Sequence, residues 1–68
     1  MNVVLNGDRR ELRDGALLAD AIAASGAPAD RRGVAVAVDG EVVPRGEWDQ
    51  TRLADGARVE VLQAVQGG

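Results

Sequence analysis

Four dipeptides in which Asn or Asp precedes Gly divide this chain into short segments. They are Asn6-Gly7, Asp14-Gly15, Asp39-Gly40 and Asp55-Gly56. Asn and Asp tolerate a positive φ and Gly adopts it freely, so each dipeptide predicts a tight turn at the end of an element. With only 68 residues in total, the chain is expected to form one small domain of short elements joined by turns.

Alternating apolar residues predict five strands around these turns. The predicted strands are residues 3–5, 9–12, 34–38, 41–43 and 58–62, the first two forming a hairpin and Pro44 ending the fourth. Side chains that alternate along a strand point to opposite faces of the sheet. The residues expected to face the core are Val3, Leu5, Leu12, Val34, Val36, Val38, Val59 and Val61. Leu62, Ala35 and Ala37 are then expected on the outer face, where they would form an exposed apolar surface for a partner.

Between the second and third strands, the apolar spacing changes to three and four residues. Leu18, Ala21 and Ile22 follow this spacing and predict a helix over residues 16–25. Asp14 is the predicted N-cap of this helix, and Gly26 suits the left-handed residue that follows its end. Further along the chain, Trp48 and Leu53 are expected to fill the bottom of the core, because the chain has no other large ring.

The residue types that are missing restrict the chemistry of the chain. It contains no Cys, His, Lys or Tyr, which removes disulfides, the usual zinc ligands and most catalytic bases. Neither a catalytic residue nor a metal site is therefore predicted, and the chain is not expected to be an enzyme. The net charge of -3 argues against nucleic acid or an anionic membrane as the partner. Because no signal peptide or membrane-spanning run is visible, a cytoplasmic location is expected.

Taken together, these elements predict an α+β domain in which one helix packs across a mixed sheet. The predicted domain covers residues 1–62, and residues 63–68 are expected to be a flexible C-terminal tail that ends in Gly67-Gly68. Two residues without a Cβ can pass through a channel that excludes every side chain. The C-terminal carboxylate of Gly68 would become reactive only after another enzyme had activated it.

Three stretches of the chain resemble the ThiS family of sulfur carriers of the thiamine pathway. They are residues 33–48, which include Pro44-Arg45 and Trp48, residues 53–61, and residues 64–68 with the Gly-Gly end. The segment around Pro44-Arg45 and Trp48 is the most specific of the three. Two departures from the family pattern, Asp39 in place of Asn and Ala57 in place of Asp, fall in predicted turns.

The resemblance implies a ubiquitin-like β-grasp fold and a carrier that binds no cofactor. A ubiquitin-activating-like (ThiF-like) adenylyltransferase would adenylate Gly68 at the expense of ATP. A sulfur donor system would then form a thiocarboxylate, which a thiazole synthase (ThiG-like) would use. Val65, Gln66 and Gly67 would be recognised by these enzymes as the tail.

Three alternatives stay open on the sequence alone. The first is a sulfur carrier of another pathway, similar to the small subunit of molybdopterin synthase. The second is a ubiquitin-like protein modifier, whose C-terminus would be joined to lysines of other proteins. The third is an interaction module that binds without a covalent step and carries the Gly-Gly end incidentally.

Overall fold

The computed structural model describes residues 1–64 of the chain. Its elements are β1 (Asn2–Leu5), β2 (Asp8–Glu11), α1 (Leu18–Ala24), β3 (Val34–Val38), β4 (Glu41–Val42), a short 3₁₀ helix (Arg45–Glu47) and β5 (Arg58–Gln63). This order of hairpin, helix, hairpin and final strand is the one that the sequence predicted.

The strands form one mixed sheet in the order β2-β1-β5-β3-β4. The central strand β5 runs parallel to its neighbour β1, and every other neighbouring pair is antiparallel. The helix α1 covers one face of the sheet and contributes Leu18, Ala21 and Ile22 to the core. This arrangement is the predicted α+β, β-grasp fold.

The core lies between α1 and the inner face of the sheet. Trp48 closes it from the segment after the 3₁₀ helix, and its indole Nε1 donates to the Val43 carbonyl at 2.8 Å. The buried apolar residues are Val3, Leu5, Ala16, Leu18, Ala21, Ile22, Val34, Val36, Trp48, Leu53, Ala57, Val59 and Val61. Leu12 and Val38 were predicted to face the core, and both pack against it while remaining partly exposed.

Two of the predicted turns join antiparallel strands through two residues each. Asn6 and Asp39 both have a φ of 50°, and Gly7 and Gly40 both have a φ of 86°. Positive φ at both central residues is the type I′ geometry, which matches the twist of the strands that it connects. The two hairpin predictions at these dipeptides are therefore confirmed.

The helix begins later than predicted, and Asp14 is not its N-cap. Leu17 is the N-cap residue; its backbone is extended, and it forms an isolated β-bridge with Arg52. This pairing keeps the chain out of the helical conformation until the next residue. The Leu17 N–H donates to Asp20 Oδ2 at 2.8 Å, whereas Asp14 accepts a hydrogen bond from the Met1 amine at 3.2 Å.

The last strand is one residue longer than predicted. Gln63 of β5 pairs with Val34 of β3, and the Ala64 N–H donates to the Gly33 carbonyl at 2.8 Å. The first residue of the predicted tail is therefore paired with β3, and the second is hydrogen-bonded to Gly33. The remaining residues of that prediction, 65–68, lie outside the described part of the chain.

Candidate functional site

The residues singled out from the sequence fall into two groups. Val65, Gln66, Gly67 and Gly68 lie outside the described residues, so their predicted roles stay predictions. The predicted partner-surface residues Leu62, Ala35 and Ala37 lie on neighbouring strands, β5 and β3, within the described part. The structure therefore describes the predicted partner surface and the end of β5, from which the sequence continues towards Gly68.

The predicted partner-surface residues lie together on the face of the sheet opposite α1. Leu62 pairs directly with Ala35, and the next outward residue of β3, Ala37, pairs with Glu60. Leu62 exposes 66% of its surface, while its neighbour Val61 is buried. The period-2 prediction for these residues is thereby confirmed, although Ala37 is only partly exposed.

Val42 belongs to the same face and was missed by the sequence reasoning. Val42 lies on β4 and pairs with Ala37 of β3. It is 79% exposed, more than any other large apolar residue among residues 1–64. The partly exposed Val4 of β1 lies on this face as well, beside Arg58 of β5. We call the five apolar residues of this face, Val4, Ala35, Ala37, Val42 and Leu62, the outer patch. Alternation with the inward Val3 and Leu5 already places Val4 on the outer face, whereas Val42 joins the patch only through the strand register, which the sequence does not contain.

Charged side chains interrupt the outer patch. Arg58 and Glu60 lie on β5 between Val4 and Leu62, and Arg9 of β2 pairs with Val4. A shallow depression of about 300 Å³ runs among Val4, Arg58, Glu60 and Leu62. The face therefore combines exposed apolar side chains with charges of both signs. Protein–protein interfaces combine the same two kinds of surface, an apolar core and a polar rim.

The C-terminal end of β5 is held on both of its edges. On one edge, Ala64 is hydrogen-bonded to Gly33, as described above. On the other edge, the Asn6 carboxamide forms two hydrogen bonds with the backbone of Val61, at 2.8 and 3.2 Å. Sequence reasoning assigned Asn6 only to a turn, because its partner lies 55 residues away in the chain.

A second polar cluster surrounds Trp48 at another part of the molecule. Arg31 forms two hydrogen bonds with the Asp49 carboxylate, at 2.9 and 3.2 Å, and these bonds lower the pKa of Asp49 below its usual value. The guanidinium carbons of Arg45 and Arg31 lie 4.9 and 5.8 Å from the centre of the Trp48 ring. At these distances a cation is attracted to the face of an aromatic ring, so the two guanidinium groups help to hold the Trp48 ring in its position. The cluster therefore joins loop 27–33 to the segment after the 3₁₀ helix, and Trp48 is a core residue as predicted.

No group of three acidic, His or Cys side chains among residues 1–64 is placed to hold a metal ion. In the same part of the chain, the helices are too short to cross a membrane.

Comparison with known proteins agrees with this geometry. The model of the ThiS family matches residues 3–68, which is nearly the whole chain. The chain belongs to the ThiS family. A crystal structure of the thiamine biosynthesis protein ThiS from Geobacter metallireducens is 30% identical, with a TM-score of 0.78 and full coverage of both chains. An NMR structure of a thiamine biosynthesis protein from the same organism is 28% identical, has a TM-score of 0.79, and covers all of this chain and 88% of the other. No curated protein matches the chain.

Membership of the ThiS family confirms the resemblance that residues 33–48 indicated. In the structure this stretch supplies β3, the type I′ turn, β4 and the 3₁₀ helix, and it ends at the buried Trp48. Of the two departures from the ThiS pattern, Asp39 lies in the turn as expected. Ala57 is the last residue of the turn at Asp55-Gly56, where its N–H donates to the Ala54 carbonyl at 3.0 Å, and its side chain is buried in the core just before β5.

Proposed function

We propose that this ThiS-family chain is a cytoplasmic sulfur carrier that supplies sulfur for the thiazole ring of thiamine. The observation that carries the proposal is the family match, which extends through Gly67-Gly68 at the C-terminus. Both similar structures from Geobacter metallireducens are of thiamine biosynthesis proteins, which supports the same pathway. They favour it over the molybdopterin alternative.

The chemistry of a carrier places few demands on its own side chains. A carboxylate oxygen of Gly68 attacks the α-phosphorus of ATP, pyrophosphate leaves, and an acyl adenylate forms. A sulfur donor system then replaces AMP at the carbonyl carbon, and the resulting thiocarboxylate is used by a thiazole synthase. The partner enzymes provide catalysis while the carrier provides recognition and a reactive end, as in other carried-group chemistry.

The outer patch is the proposed docking surface for the activating enzyme and the synthase. Leu62 lies near the end of β5, so a partner that covers Leu62 and Ala35 is also close to the point where the chain continues towards Gly68. Arg58 and Glu60 beside them provide charges that orient a complementary surface. Docking and delivery of the C-terminus thus use the same end of the sheet.

Adenylation is the step that tests the proposal. Pyrophosphate exchange should be measured with a cognate activating enzyme for the wild-type chain, Gly67→Ala and a chain that lacks Gly68. The wild type should support exchange, and the shortened chain should not. Gly67→Ala adds one methyl group next to the reacting carboxylate, and a displacement of roughly 1 Å can lower a rate by about a hundredfold. Equal rates for all three chains would favour the noncovalent interaction module.

A protein modifier would also be adenylated, so a separate measurement distinguishes it. After activation, the mixture should be searched for covalent adducts between the chain and lysines of other proteins. A thiocarboxylate without adducts supports the sulfur carrier. Adducts that accumulate in place of the thiocarboxylate would support the modifier.

A further inference from the structure

Asn6 extends the pairing between β1 and β5 beyond the point where β1 ends. The parallel ladder pairs Val4 with Arg58 and Leu5 with Val59, after which the chain turns away. The backbone N–H of Asn6 donates to the Val59 carbonyl at 2.9 Å.

The Asn6 side chain then continues this pattern by one step. Its Nδ2 donates to the Val61 carbonyl at 3.2 Å, and its Oδ1 accepts from the Val61 N–H at 2.8 Å. A carboxamide carries the same donor and acceptor as a peptide group, so one side chain takes the place of a strand residue opposite Val61.

This contact is the last one on its edge of β5. Among residues 1–64, no hydrogen bond from β1, β2 or their turn reaches β5 beyond Val61. On the opposite edge, β3 holds Leu62 through its pairing with Ala35, and Gly33 holds Ala64. The direction of the chain at the end of β5 therefore depends on Asn6 on one edge and on β3 on the other.

We propose that Asn6 is a positioning residue for loading, which acts by fixing the direction in which the chain leaves the sheet towards Gly68. This inference rests on the proposed function. Without the carboxamide, the end of β5 loses two hydrogen bonds and separates more often from the sheet. The activating enzyme then meets a wider range of directions for the reactive carboxylate, and correct placement becomes less frequent.

The turn itself offers a simpler reason for Asn6, and substitution by Gly separates the two. Asn6 has a φ of 50°, a conformation that Asn favours and that Gly adopts at least as easily. Asn6→Gly therefore keeps the type I′ turn and removes only the carboxamide. Asn6→Asp also keeps the turn and the acceptor for the Val61 N–H, while it loses the donor to the Val61 carbonyl.

Asp39 provides a matched control at the other end of the same strand. It has the same φ of 50°, it precedes Gly40 in the same type of turn, and its Oδ1 accepts from the Arg58 N–H at 3.0 Å. Asp39→Gly thus removes a side-chain hydrogen bond to β5 from a type I′ turn, but at the start of the strand. A loss of stability alone would affect both variants in a similar way.

The experiment measures two quantities, well below the unfolding temperature. The first is the single-turnover rate of adenylation at saturating activating enzyme, and the second is amide hydrogen exchange at Val61 and Arg58. Asn6→Gly should adenylate about tenfold more slowly and exchange faster at Val61, because two net-favourable hydrogen bonds are lost. Asn6→Asp should give intermediate values. Asp39→Gly should exchange faster at Arg58 and keep a rate within about twofold of the wild type.

The possible outcomes separate this inference from the proposed function. If the wild type is adenylated and Asn6→Gly reacts at the same rate, or if both Gly variants slow adenylation equally, the positioning role is overturned alone. If the wild type is never adenylated by its cognate enzyme, the proposed function fails and the inference fails with it. A slower Asn6→Gly beside an unaffected Asp39→Gly supports both.

Discussion

At the scale of single residues, Leu62 is the exposed member of an alternating strand. Val59 and Val61 of the same strand are buried, while Leu62 exposes 66% of its surface. A single exposed Leu is common on proteins and requires no explanation. Here, however, Leu62 lies beside Ala35 and shares its face with Val42, which is 79% exposed. Apolar residues grouped in this way on a small domain indicate a contact surface.

Leu62→Asp tests this surface. The substitution should raise the KM of adenylation about tenfold, because it places a charge within the outer patch at the end of β5 from which the chain continues towards Gly68. Stability should change by about 1 kcal/mol or less, since the side chain is exposed and only its strand preference changes. Enzyme kinetics and thermal unfolding of the same samples measure the two effects.

The matched control for this prediction is Gln50→Asp, which adds the same charge at an exposed position outside the outer patch. It should leave the KM unchanged. A loss of several kcal/mol for Leu62→Asp would contradict the strand register, and an equal KM effect for both variants would point to net charge as the cause.

The exposure of Leu62 could be predicted from sequence because alternation is a local property. The position of Val42 in the outer patch and the contact between Asn6 and Val61 could not. Val42 joins the outer patch only through its register with Ala37. Asn6 reaches Val61 across 55 residues of sequence, and no local pattern marks that contact.

At the scale of elements, α1 depends on contacts at its N-terminus because it has only seven residues. Isolated helices of this length are unstable in water, so the element relies on packing and capping. The Asp20 carboxylate accepts from the Leu17 N–H at 2.8 Å and from Arg13 at 3.0 Å. It also lies in the first turn, where a negative charge is favourable to the helix dipole.

Asp20→Ala should therefore lower the free energy of unfolding by about 1 kcal/mol, the usual cost of losing a side-chain hydrogen bond at a helix N-terminus. Asp20→Asn keeps an acceptor for the Leu17 N–H and loses only the charge, so its cost should be smaller. Denaturant unfolding of both variants measures the difference. A full loss with Asp20→Asn would assign the effect to the charge of Asp20, which acts on Arg13 and on the helix dipole, instead of to the hydrogen bond with the Leu17 N–H.

The elements themselves were predictable to different degrees. The bounds of β3 and the turns at Asn6-Gly7 and Asp39-Gly40 agree with the prediction, because strict alternation and positive-φ residues are strong local signals. The helix start was misplaced because Leu17 pairs with Arg52, a contact made in three dimensions. The end of β5 was misplaced for the same reason, since Gln63 pairs with Val34.

At the scale of the whole molecule, the sheet order brings the outer patch and the end of β5 together. The last strand lies between β1 and β3 and so joins the two hairpins in one sheet. Sequence patterns predicted a mixed sheet with one helix, but strand order depends on pairings between distant segments. The β-grasp topology entered the prediction through the family resemblance, which the ThiS family match confirms.

The most direct test of the account is the intact mass of the chain after incubation with its activating enzyme, ATP and a sulfur donor. The mass should rise by the difference between a sulfur and an oxygen atom, and peptide mapping should place the change in the C-terminal peptide. A chain that lacks Gly68 should show no change. An increase that maps to an internal peptide, or no ATP-dependent change with the cognate enzyme, would contradict the sulfur-carrier function.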